Sequence, residues 1–140
     1  MFLLRKPILA LSGNTAVRDA LTSTSLTASV VDRFIAGETT ADAVAAVSRL
    51  RPDGLQVSLD HLGEDTTDRA TADATVEAYL QLIEALAAAG QVAGAELSVK
   101  LSAVGQALIA SPDLPAGGNA YALAGARRIT DAAYAAGARV

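Results

Sequence analysis

Two short stretches constrain the fold of this chain more than anything else in it: GLQVSLDHLGED at 54–65 and AELSVKLSAVG at 95–105. Both carry Leu-x-Val-x-Leu, as Leu55, Val57 and Leu59 and then as Leu97, Val99 and Leu101. Apolar residues at every second position give a strand one apolar and one polar face. The polar sets are Gln56, Ser58 and Asp60 in the first stretch and Ser98, Lys100 and Ser102 in the second. Between them, Val76, Tyr79, Leu80, Ile83 and Leu86 recur three and four apart. That spacing predicts a helix over about 67–89, capped by Asp65 or Thr66 and closed by Gly90.

The flanking segments complete the pattern. Upstream, residues 1–51 read as short helices. Asn14 caps NTAVRDAL, and Val30, Val31, Phe34 and Ile35 keep helical spacing up to Gly37, with a loop at Thr22 to Ser25 between them. A threonine cap then opens TTADAVAAVSRLRP, whose Val44, Val47 and Leu50 share a face ended by Pro52. Downstream, SPDLPAGG reads as a loop, and a helix capped by Asn119 runs through Leu123, Ala126, Ile129 and Ala133 to Gly137. The final ARV reads as the opening of a third strand. Strands alternating with helices at this spacing make parallel βαβ units. The expected class is α/β: a helical segment over 1–53, then over 54–140 the first two βα units and the start of the third strand of a (β/α)8 TIM-type barrel. A barrel so begun is incomplete, and the chain reads as the N-terminal portion of something longer, whose open strand edges favour self-association.

Composition narrows the partners. The 140 residues are 51% apolar but only 4% aromatic, which suits alanine-rich helices packed closely on a neighbour. A net charge of −4 with both signs interspersed argues against nucleic acid as a partner, since phosphate binding needs a clustered basic face. There is no cysteine for thiol, disulfide or metal chemistry, and the single histidine, His61, cannot build a histidine-ligated metal site without help from carboxylates. In MFLLRKPILALSGN, Arg5 and Lys6 interrupt the apolar run instead of preceding it, unlike a secretory signal. No apolar stretch approaches the roughly 20 residues of a membrane span, so a cytoplasmic location is expected.

The strand faces point to chemistry. If the Leu-Val-Leu face meets the helices, the polar face turns to the barrel interior, which is ordinarily filled with branched apolar side chains. Polar groups there need partners. In one reading Asp60 and Lys100 form a structural ion pair on neighbouring strands. In the other they mark an active site at the C-terminal strand ends, with Lys100 binding a substrate carboxylate or, at lowered pKa, forming a Schiff base.

In this order and separated by one long helix, VSLDHLGEDTTD and LSVKLSAVG resemble the FAD-dependent proline dehydrogenase family, nearest its short monofunctional bacterial members. VVDRFIAGET is similar to the family's helical lead-in, so the resemblance spans about residues 28 to 140. It implies a distorted (β/α)8 barrel holding FAD at its strand ends, oxidation of L-proline to 1-pyrroline-5-carboxylate, and electron transfer to a membrane quinone. A cytoplasmic protein peripheral to the inner membrane would follow. By motif, Lys100 matches the lysine that binds the proline carboxylate, Glu64 the gating glutamate that pairs with an arginine, and Asp60 an aspartate found just before it. The carboxylate-binding arginines and the residues that hold the FAD phosphates and adenosine would lie beyond Val140.

Other features take no part in that site. His61 reads as a solvated loop residue, Arg127 and Arg128 as surface or helix-packing residues in mid-helix, and the PAGGN glycines lack the spacing of a dinucleotide fingerprint. Two alternatives remain open: a Schiff-base aldolase or lyase using Lys100, and a non-catalytic partial scaffold.

Overall fold

A reciprocal cap fixes the start of the first helix, α1 (Thr40–Leu50). The Thr39 hydroxyl accepts from the Asp42 N–H at 3.2 Å, and the Asp42 carboxylate accepts from the Thr39 N–H at 3.1 Å. Pro52 ends it in a 3-10 turn, Arg51–Asp53. The computed structural model describes residues 36, 37 and 39–140, so the expected helices from Asn14 and over Val30 to Ile35 lie outside the described residues. Glu38–Val140 is one compact unit, in which α1 lies against the second helix, α2 (Arg69–Ala88).

The cap of α2 is Asp68, not Asp65 or Thr66. The Asp68 carboxylate accepts from both the Thr71 hydroxyl and the Thr71 N–H at 2.7 Å, bonds that hold its pKa below the ordinary value. Thr66 instead gives its N–H to the Ser102 carbonyl at 3.0 Å. At the other end, the Gly90 N–H bonds the Ala87 carbonyl and the Gln91 N–H the Leu86 carbonyl, satisfying carbonyls that the helix leaves free.

Strands β1 (Ser58–Asp60) and β2 (Glu96–Ser98) pair in parallel, as the alternation predicts, but both are shorter than it suggests. Beyond Lys100 the chain turns, with the Ala103 N–H on the Lys100 carbonyl and the Gln106 N–H on the Leu101 carbonyl. Ser102 therefore leaves the strand face to which the alternation assigned it. The register sets Leu59 beside Leu97, whereas the repeated motif would have set it beside Leu101. The slip is an even number of residues, so every side chain keeps its face. Arg139 pairs in parallel with Glu96, its carbonyl accepting from the Leu97 N–H at 2.8 Å. The opening of the third strand thus lies on the far edge of β2.

The third helix, α3 (Gly117–Ala136), starts before Asn119 and has no side-chain cap. Asn119 sits in its first turn and accepts from the Gln106 amide at 3.2 Å, while the Gly118 N–H is satisfied by the Leu108 carbonyl. Its buried stripe is Ala122, Ile129 and Ala133; Leu123, one position round, is exposed. Gly137 ends it in the left-handed region at φ 90°.

The core gathers Val47 of α1, Val76, Tyr79, Ile83 and Leu86 of α2, Leu97 of β2, Val104, and Ile129 of α3. Leu59, Leu80, Val99 and Leu101 pack against it half-buried, whereas Leu55 at 52% exposure lies outside. Small residues let α2 and α3 approach: Ala122 and Ala133 are fully buried, and a Cβ on Gly125 would come within 3.0 Å of Val76 Cγ2. The described part is mixed α/β, with a short parallel sheet covered by helices on its apolar face.

Gly118 allows the closest backbone approach, because an added Cβ would run into the carbonyl oxygens of Gly105 and Gln106. Gly118→Ala should therefore destabilise the unit by about 1–3 kcal/mol, the usual cost of overpacking, read as a lower urea midpoint.

Candidate functional site

The parallel pairing brings the C-terminal ends of β1 and β2 side by side. Asp60 is the last residue of β1, Lys100 follows β2 by two residues, and Glu64 stands in the loop after β1. Asp65, in the left-handed region at φ 51°, turns that loop toward Thr66, whose bond to Ser102 ties the two strand-end loops together.

All three residues marked in the sequence meet here. Lys100 Nζ lies 2.8 Å from Asp60 Oδ2 and 3.4 Å from Glu64 Oε1. The side chains are 40% exposed for Lys100, 35% for Asp60 and 65% for Glu64, so this is a solvent-facing cluster and not a buried ion pair. The hydrogen bond to Asp60, and to a lesser degree Glu64, hold the Lys100 pKa above the ordinary lysine value. A Schiff-base lysine needs a neutral amine, so this environment opposes that alternative. An ammonium has three N–H donors; one is hydrogen-bonded to Asp60, and Glu64 adds an ion pair at 3.4 Å.

Tyr79 is the site residue that the sequence reading assigned only to the core. Its ring is fully buried, but its hydroxyl donates to the Ser98 carbonyl at 2.6 Å and lies 3.2 Å from Asp60 Oδ1. The same oxygen accepts from the His61 N–H at 3.0 Å. Burial is the main cause of its raised pKa. The available signal was chemical: a tyrosine on a buried stripe needs a partner for its hydroxyl.

His61 is exposed, with its ring tilted against that of Tyr79 at 5.9 Å. Arg128 packs helix to helix through a 2.8 Å ion pair with Glu77, and Arg127 is exposed. Gly117 and Gly118 allow the close approach of α3 to the 105–110 loop. The open polar strand face and Lys100 suit the polar edge of a flavin or a carboxylate. A cleft lined by Arg51, Gln56, Ala93 and Arg139 lies toward the N-terminal strand ends, away from Lys100.

This is an α/β unit with a lysine–carboxylate cluster where two parallel strands end. Comparison with known proteins gives the kinship. The chain is 40% identical over 77 residues to "Proline dehydrogenase" of Deinococcus radiodurans, covering 55% of this chain and 24% of that protein. It is 37% identical over 73 residues to "Proline dehydrogenase 1" of Bacillus subtilis strain 168, covering 52% and 24%. It is 38% identical over 77 residues to "Bifunctional protein PutA" of Escherichia coli K12, covering 52% and 6%. No family model matches. These relatives support assignment of the chain to the proline dehydrogenase family, although the matched part is about a quarter of the length of the first two.

Both Lys100 and Tyr79 have raised pKa values, so each favours the folded state most below its ordinary value. That stability is complete below about pH 10 and is lost as the pH rises through the folded values. Urea midpoints measured from neutral to strongly alkaline pH should fall in this window, and fall less steeply for Lys100→Met.

Proposed function

We propose that this chain supplies the lysine-bearing strands of an FAD-dependent proline dehydrogenase, an enzyme that oxidises L-proline to 1-pyrroline-5-carboxylate. The observation that carries the reading is the ammonium of Lys100 at the shared strand ends, in a chain whose relatives are named proline dehydrogenase. Parallel strands in chain order, with α2 and α3 on their apolar face, suit the first units of a (β/α)8 barrel, which carries its site at this end. The remaining units and the FAD phosphate contacts then come from sequence beyond this chain.

Lys100 binds the proline carboxylate as a point charge. Glu64, the farther and more exposed of its two partners, is the one that a substrate carboxylate displaces. Asp60 stays and keeps the ammonium in place. FAD, when bound, would supply the hydride acceptor for proline oxidation. The chain's own part is to orient the substrate by its carboxylate. A quinone at the surface of the inner membrane would be the electron acceptor, with the protein on the cytoplasmic side. No described helix is long and apolar enough to cross a membrane.

Substrate selectivity tests this reading. The complete flavin-loaded protein should oxidise L-proline and leave L-prolinamide, which lacks the carboxylate, almost untouched; equal rates on both would sink it. Residues 1–140 alone should be colourless with FAD, inactive on proline and self-associated in sedimentation, since β1 has a paired neighbour on one side only among the described residues.

A further inference from the structure

Tyr79 is enclosed by apolar side chains, yet its hydroxyl ends among the polar groups of the strand ends. Packing fixes the ring, and the Ser98 carbonyl of β2 and the N–H of His61, the residue after β1, fix the oxygen. The single Tyr79 O–H proton is shared between the Ser98 carbonyl at 2.6 Å and, as the longer branch, Asp60 Oδ1 at 3.2 Å, while Lys100 donates to Asp60 Oδ2 at 2.8 Å. Of the two partners of Asp60 only Tyr79 is buried and immobile; Lys100 is a long, flexible side chain. A short carboxylate held from a rigid side is confined to one rotamer, while one held only by a mobile ammonium is free to follow it.

We propose that Tyr79 is a positioning residue that holds Asp60 in the rotamer presenting Oδ2 to Lys100. It thereby fixes where the ammonium stands for an incoming carboxylate. That last consequence rests on the function proposed for Lys100; the hold on Asp60 does not. Glu64 cannot supply the same restraint, because it is 65% exposed and sits on a loop.

Three-bond Hα–Hβ couplings of Asp60, measured by NMR on the labelled complete protein, test this. The unmodified protein should show one dominant Asp60 rotamer, and Tyr79→Phe should show averaged couplings together with a shifted His61 amide. A purely structural tyrosine would lower the melting temperature and leave Asp60 in its single rotamer, which would overturn the proposal. If Tyr79→Phe does not fold, Asp60→Asn provides the second readout. The Tyr79 ring resonances should move in that variant, and their staying in place would overturn the proposal equally. Neither readout involves proline, so a failure of the carboxylate role of Lys100 would leave both results standing.

Discussion

The structure depends on burying the apolar side of two very short parallel strands. Leu97 is almost fully buried and lies in register with Leu59, and behind them stand Val76, Tyr79 and Ile83 of α2 and Ile129 of α3. Three residues per strand supply few ladder hydrogen bonds, so the pairing relies on this apolar contact. Removing Leu97 from water alone is worth about 1.5–3 kcal/mol. Because side chains alternate, that same burial turns Ser58 and Asp60 to solvent. The polar site is thus a by-product of the apolar packing.

Placement of the site then follows from direction. Parallel strands end on the same side, and the chain after each end is free to make a loop. Here the loops are joined backbone to backbone through Thr66 and Ser102, and the strand ends are joined through Tyr79. Lys100 faces two carboxylates on this frame, Asp60 at a strand end and the more exposed Glu64 on a loop. Such a pairing suits an ammonium that must stay charged and in place while one of its partners is exchanged for a substrate carboxylate.

The faces of the strands were legible in the sequence because period-two alternation survives any even shift. The register was not, since leucines repeat at even spacing and every such slip buries the same kind of residue. The Thr39 cap was legible because Asp42 closes a reciprocal box. The cap of α2 was ambiguous because Asp65, Thr66, Thr67 and Asp68 all have capping side chains; Asp68 prevails through the double contact with Thr71. Asn119 misled because Gly118 continues α3 upstream against the Leu108 carbonyl, a tertiary contact with no local signature. Asp60, Glu64 and Lys100 could be grouped from their motifs. Tyr79 could not, because only the fold shows that its hydroxyl leaves the core.

A double-mutant cycle on the complete flavin-loaded protein tests the central claim, that Lys100 serves the substrate and is not a brace for the strands. The quantities are KM for L-proline and melting temperature in Lys100→Met, Asp60→Asn and the double variant. Losing one charged contact to a carboxylate should raise KM roughly ten- to a hundred-fold in Lys100→Met. The melting temperature should hardly move, since the cluster faces solvent, and Asp60→Asn should not restore KM. The account is contradicted if KM stays unchanged while Lys100→Met melts early and the double variant recovers.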